Sequence, residues 1–426
     1  MGQREQTLSE KQHYCSYPFS QMTIAPTGQY KLCCSSSEAF GAVSDFAGSF
    51  DLNVKDTSLS DYWNGVYLNW VRAQHLANAP IKECRACYFY EQHGNESYRQ
   101  RALQELGTFA KPLAQPRSLD LKLGNKCNAS CLFCDPSSSS TVLSEWKEIG
   151  WDKAPPFESG LTGWVSPELF DVDYAWAERE EFWEQLKQIT PEIKNLKFTG
   201  GEPLINRYMI KYLDWIVQQG WASDMRLQVT TNGIVVPQKF LDFTEKFRLV
   251  EINFSVDGFG PQNEYIRYPT KWKNWLANVE RVQSRVGSNV SLFFQHSVSA
   301  YSVFGLEEYF RWMWPYKRFG FHLFKVFHPD IQRTELLSRA EKIQTAEALE
   351  RLVQELGTSV ECKRDEELLS EIKGIAKMIL QEEDRSGEKP RLREFLHRLD
   401  QHRQISIWDY MPLAAHSLGM PQKAGE

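Results

Sequence analysis

A strand that runs straight into three closely spaced cysteines constrains this chain more than any other feature. Ser118-Leu119-Asp120-Leu121-Lys122-Leu123 alternates polar and apolar residues at the period of a pleated strand. The loop Lys126-Cys127-Asn128-Ala129-Ser130-Cys131-Leu132-Phe133-Cys134 follows with C-x3-C-x2-C spacing. Three thiolates so spaced can wrap three corners of one cube-shaped iron-sulfur cluster. Four would close such a cluster, whereas three leave one iron with an open position for a substrate or cofactor. Zinc is the competing occupant, but it favours four closed ligands and paired C-x2-C knuckles, and no fourth Cys or His follows nearby.

Nine cysteines occur in 426 residues, eight of them in the first third: Cys15, Cys33, Cys34, Cys84, Cys87, Cys127, Cys131 and Cys134. The amino-terminal stretch is polar, without the apolar core of a signal peptide, and Gln6 breaks the myristoylation pattern. No uncharged apolar run reaches the roughly 18 residues of a membrane span. A cytoplasmic protein without membrane contact is therefore expected, and in that reducing compartment cysteines serve metal or redox chemistry more than disulfides. Cys362, alone downstream, reads as a small buried apolar residue. The net charge of -6 provides no basic field for bulk nucleic-acid binding, so no nucleic-acid partner is expected.

The cysteine loop, with Phe133 as the aromatic of C-x3-C-x-aromatic-C, resembles that of the radical S-adenosylmethionine (radical SAM) enzymes. The resemblance extends along the chain. Asn195-Leu196-Lys197-Phe198 runs into Thr199-Gly200-Gly201-Glu202-Pro203, similar to the family's second motif, and a helical face of Leu204, Ile205, Met209, Ile210, Leu213 and Ile216 follows. Two glycines allow close backbone approach to a ligand, while Glu202 would recognise an ammonium directly or fix the turn. The strand Met225 to Gly233 ends in Thr231-Asn232-Gly233, and Leu249 to Gly258 carries Ser255 and Asp257 on one face. Their polar groups suit the ribose or amino-acid portion of SAM, although turn chemistry uses the same residue types. Strands at Val290 to Val298 and Phe319 to Val326 complete six strand-helix repeats. Arg267 reads either as a clamp for a carboxylate or as a solvent-facing residue at a helix start.

The resemblance implies an α/β fold with a partial (β/α)6 barrel over residues 113–330, carrying an insert at 136–189, and a helical cap at 331–426. The segment 1–112 would form a small α+β domain. Cys15 and Cys33 flank a hairpin whose turn holds Pro26 and Gly28, and Cys84-x2-Cys87 completes four thiols. This resembles the twitch fold, a short relative of the SPASM domain, placed ahead of the barrel rather than after it. It implies a closed auxiliary 4Fe-4S cluster on Cys15, Cys33, Cys84 and Cys87. Cys34 remains an alternative to Cys33, and a zinc ribbon an alternative to the cluster. The insert carries Trp146, Trp151, Trp164, Trp176 and Trp183, with a helix starting near Pro167. It reads as a lid or as a helix packed on the barrel. The residues from Gly419 onward read as frayed.

Function follows from the resemblance. A 4Fe-4S cluster on Cys127, Cys131 and Cys134 would bind SAM and cleave it reductively to a 5'-deoxyadenosyl radical that abstracts hydrogen from a substrate. Phe133, Gly200, Gly201, Glu202, Thr231, Asn232, Ser255 and Asp257 would hold SAM, and flavodoxin or ferredoxin would supply the electron. A peptide is the favoured substrate, with a carbohydrate or other small molecule as the alternative, and His296, His322 and His328 are general acid-base candidates. The rival from another class is a non-catalytic iron-sulfur or zinc protein.

Overall fold

The computed structural model describes residues 7–36, 46, 52–92, 96–153 and 167–422. Trp164 and the central part of the expected insert lie outside these residues. Ten strands occur among them: β1 Gln21–Ile24, β2 Tyr30–Lys31, β3 Ser118–Lys122, β4 Ser130–Cys131, β5 Asn195–Thr199, β6 Arg226–Thr231, β7 Leu249–Ser255, β8 Arg267–Tyr268, β9 Val290–Val298 and β10 Phe319–Lys325. The six strands expected of the barrel are β3, β5, β6, β7, β9 and β10, each within a few residues of its expected bounds.

The chain forms two compact units. The first comprises Met1–Lys126, Asp173–Val229 and Lys246–Val250. Its strands run in the order β6-β5-β3-β1-β2. β3, β5 and β6 pair in parallel, β1 pairs in parallel with β3, and β2 closes the edge antiparallel to β1. The amino-terminal hairpin thus extends the parallel sheet of β6, β5 and β3 at its β3 edge. Alternation explains the sheet. Leu119, Leu121, Leu196, Phe198, Leu227 and Val229 are buried, each worth roughly 1.5–3 kcal/mol, while Asp120, Lys122, Lys197 and Thr199 share the opposite, polar face. Helices Glu180–Ile189 and Arg207–Gln218 bury Phe182, Trp183 and Leu186, and Met209, Tyr212, Leu213 and Ile216.

The second unit comprises Cys127–Val172, Thr230–Glu245 and Glu251–Glu426. It holds β10-β9-β7, with β9 and β10 parallel over seven residue pairs from Leu292↔Phe319 to Val298↔Lys325. A separate two-stranded ladder joins β4 to β8 antiparallel. Five carboxyl-terminal helices, Arg339–Gly357, Lys363–Gln381, Lys389–Arg403, Ile407–Tyr410 and Pro412–Leu418, form the expected helical region. Its core joins Trp146 and Trp151 to Tyr265, Phe395 and Leu396, with Trp151 stacked on Phe395 at 5.2 Å.

Several sequence expectations change. The described part of the insert packs into the core: Trp146, Trp151, Trp176 and Trp183 are all buried. It opens with a helix, Ser140–Ile149, capped by Ser139, and Pro167 begins only a 3-10 turn, Pro167–Phe170. Cys362 is exposed rather than buried, because it stands at the N-cap of helix Lys363–Gln381, one residue ahead of the helix. Gly419 caps the last helix and Met420 is buried, so the end of the chain is packed through Met420. No helix among the described residues is long and apolar enough to cross a membrane.

Candidate functional site

The cysteine loop is anchored on every side. The Cys127 amide donates to Ser140 Oγ at 3.1 Å, and Ser139 and Thr141 hydroxyls both donate to the Ala129 carbonyl at 2.7 Å. The serine-rich run after the loop therefore acts as its tether. Downstream, β4 places Cys131 opposite Arg267 and Ser130 opposite Tyr268. The Leu132 amide donates to the Ile266 carbonyl at 2.9 Å, and Gln332 Nε2 donates to the Leu132 carbonyl at 2.8 Å. Arg403, from helix Lys389–Arg403, donates to the Ser130 carbonyl at 2.8 Å and to both Glu145 oxygens at 2.7 and 2.8 Å.

Arg267 is buried and faces the sulfur of its strand partner, with Nη1 3.6 Å from Cys131 Sγ. Its Nε donates to Asp257 Oδ2 at 2.5 Å, and its guanidinium lies 5.8 Å from the Phe133 ring centre. Asp257 is fully buried; its Oδ1 accepts from the Ser297 amide at 2.6 Å and its own amide donates to Asn263 Oδ1. Burial works against the charge of Arg267, but Asp257 and the neighbouring thiols outweigh it and hold the guanidinium protonated. The Cys131 thiol is lowered, chiefly by hydrogen bonding with Cys134, with burial opposing and Arg267 assisting. Asn232 Nδ2 donates to Asn128 Oδ1 at 2.7 Å and lies 3.8 Å from Cys127 Sγ.

Of the expected SAM contacts in this unit, Phe133, Asn232 and Asp257 are thus gathered around the cysteine loop. Thr231 Oγ1 accepts from the Gly233 amide, a turn contact, and Ser255 is buried on β7. The partners of Asp257 are Arg267 and the Ser297 amide, so it serves to hold Arg267. Sequence reading missed this pairing, since Arg267 was not among the expected site residues.

In the first unit the Gly200-Gly201-Glu202 turn packs against the chain just before Cys127. Gly200 and Gly201 have φ of +75° and +51°. A Cβ on Gly201 would stand 2.3 Å from the Lys126 carbonyl oxygen, and one on Gly200 would stand 2.6 Å from Lys122 Cβ. The Glu202 amide donates to the Lys126 carbonyl at 2.8 Å, and Glu202 Oε1 accepts from the Leu204 amide at 3.0 Å. The glycines therefore admit the entry of the cysteine loop, and Glu202 fixes the turn.

The same unit holds a small cavity lined by Cys15, Cys33, Cys84 and Cys87. Cys34 is not among its lining residues. Burial pushes the Cys15 thiol up to about 12 and raises Cys33 and Cys87. A pocket so hostile to bare thiolates suits them as ligands of a positively charged iron core. Among the described residues no three Cys, His, Asp or Glu converge closely enough for a single metal ion. Four thiols around one cavity supply the ligand number of a closed iron-sulfur cluster. Arg99, paired with Glu91 at 2.6 Å, forms part of the wall. Cys34 has the Lys197–Asp120 ion pair among its charged neighbours.

The acid-base candidates also separate. His296 is fully buried and burial lowers it to about 4, so it is neutral at physiological pH. His328 is likewise lowered by burial, and His322 stacks on Phe293 at 4.7 Å.

The chain therefore presents an iron-sulfur protein with one three-cysteine loop and one four-cysteine cavity. Residues 121–294 match the radical SAM superfamily, and residues 15–88 match SPASM, an iron-sulfur cluster-binding domain. The chain thus carries a radical SAM domain, with its SPASM domain ahead of it. Those two domains bring a SAM-binding 4Fe-4S cluster and an auxiliary iron-sulfur cluster. GTP 3',8-cyclase of Campylobacter lari is 26% identical over 162 residues, 38% of this chain and 40% of that protein. Native anSMEcpe with bound AdoMet is 13% identical, with a TM-score of 0.35 over 55% of this chain and 58% of that one. Streptococcus suis SuiB bound to precursor peptide SuiA is 10% identical, with a TM-score of 0.34 over 66% and 62%. The chain thus spans 40% of the length of that curated relative.

Proposed function

We propose that this chain is a radical SAM enzyme. Cys127, Cys131 and Cys134 hold the catalytic cluster, and Cys15, Cys33, Cys84 and Cys87 hold the auxiliary one. The single observation that carries the reading is the anchored three-cysteine loop, in which Cys131 lies beside a buried, charge-paired arginine. The chemistry that a 4Fe-4S cluster and SAM supply together when bound is one-electron reductive cleavage to a 5'-deoxyadenosyl radical, which abstracts hydrogen from substrate. The chain's own residues orient and shield. Arg267 and Asn232 lie against cysteine sulfurs, and burial of Cys131 keeps water away from its face of the site.

A peptide is the proposed substrate. On the polar face of β3 and β5, Lys197 pairs with Asp120 Oδ2 at 3.0 Å, and Asp120 Oδ1 and Thr199 Oγ1 have no hydrogen-bond partner. A face that combines carboxylate, hydroxyl and ammonium groups suits the alternating N–H and C=O groups of a backbone. Carbohydrate hydroxyls offer similar chemistry and form the second reading. A flavodoxin or ferredoxin in a reducing cytoplasm is the proposed source of single electrons.

The test is anaerobic incubation of reconstituted protein with SAM and dithionite. Formation of 5'-deoxyadenosine that is lost in Cys131→Ala supports the reading. Iron retention without SAM cleavage would indicate a non-catalytic iron-sulfur protein.

A further inference from the structure

Resting on the proposed three-cysteine cluster, we infer that Arg267 donates a hydrogen bond to the thiolate of Cys131 and so raises the reduction potential of that cluster. Strand register gives the contact its origin. β4 and β8 pair Cys131 with Arg267 directly, so the side chain needs only to fold back over its own backbone partner. The 3.6 Å separation of Nη1 and Sγ lies in the range of hydrogen bonds to sulfur.

The guanidinium is locked in that pose. Asp257 takes Nε at 2.5 Å and is itself held by the Ser297 amide at 2.6 Å, and Phe133 lies against the cation. Asp257 is fully buried, so little water competes for the fork. These contacts commit Arg267 to holding the cysteine loop, a different role from gripping a ligand carboxylate.

The redox consequence follows from charge. One-electron reduction adds a negative charge to the cluster and its thiolates; the electron comes from the external reductant, no bond breaks and no proton moves. A donor hydrogen bond to a ligating sulfur stabilises the more negative reduced form more than the oxidised form. Arg267 is thus a positioning and tuning residue, and a potential is the quantity that a merely structural role would leave unmoved.

The experiment is an EPR-monitored redox titration of the full reconstituted chain without SAM. The signal read is the one absent from the Cys127→Ala/Cys131→Ala/Cys134→Ala variant. In Arg267→Gln the reduced-to-oxidised ratio at the wild-type midpoint is expected to fall about tenfold, which is about 59 mV for a one-electron couple. Arg267→Lys keeps the charge but cannot reproduce the fork, and it guards against failure of the Gln variant to load iron. Its ratio is expected to fall at least threefold. Full iron with a ratio within twofold of wild type in either variant overturns the inference and leaves the cluster assignment standing. A triple variant that retains all its iron overturns the cluster assignment itself.

Discussion

The Arg403–Glu145 pair offers the sharpest test of how the carboxyl-terminal helix supports the cysteine loop. The two side chains are 2% and 7% exposed and are joined by bonds of 2.7 and 2.8 Å; a third bond from Arg403 reaches the Ser130 carbonyl, next to Cys131. Replacing Arg403 with Gln leaves a buried carboxylate without its counter-charge, a loss of about 3–5 kcal/mol. With a urea dependence on the order of 2 kcal/mol per molar, the unfolding midpoint of this unit should fall by about 2 M. Tryptophan fluorescence of the iron-free protein suits the measurement, since Trp146 and Trp151 pack with Phe395 of the same helix. Glu145→Gln combined with Arg403→Gln removes both charges and should recover at least about 2 kcal/mol of that loss. A single-variant midpoint within about 0.3 M of wild type, or strict additivity in the double variant, would refute the reasoning.

Cys34→Ser should retain about eight irons per chain in anaerobic reconstitution, whereas Cys33→Ser should fall to about four, since only Cys33 lines the four-thiol cavity. Equal iron in the two variants would count against that ligand set. Gly201→Ala forces a Cβ to 2.3 Å from the Lys126 carbonyl at a φ of +51°. It should cost on the order of 1–3 kcal/mol in backbone strain and lower iron loading at the loop that begins one residue later; wild-type loading would contradict this. His75 and His296 are both pushed by burial to about 4, against the ordinary value of 6.5. Each is neutral in the folded chain and protonated in the unfolded chain as pH falls below 6.5. Stability is therefore full above pH 6.5 and declines towards pH 4, by about 2 kcal/mol per histidine between pH 7 and 5. Denaturant titrations of the iron-free protein at pH 5 and 7 measure it, and an unchanged pH dependence in His75→Asn would count against the assignment to His75.

Much of the molecule was legible because its signals are local. The period-two alternation of Leu119 and Leu121, Leu196 and Phe198, and Leu227 and Val229 marks strands, since each residue's face depends on its immediate neighbours. Cysteine spacing likewise defines what a single loop can wrap. The insert was harder to read. Its tryptophans suited a lid and a packed helix equally, and only their burial with Phe395 and other core residues decided between them. Cys362 shows the limit at an element's end, where a one-residue shift of a helix start moves a side chain from core to solvent.

By itself the sequence determined the strand order along the chain, the three-cysteine loop, the four distant thiols and the Gly-Gly-Glu turn. Tertiary structure decided that Cys33 rather than Cys34 lines the cavity, that Glu202 fixes its own turn, and that Asp257 holds Arg267 against Cys131. It also brought Arg403 to Glu145 across 258 residues. Periodicity and spacing are written in neighbouring residues, whereas the partner of a buried charge is selected only when packing excludes water and leaves one countercharge within reach.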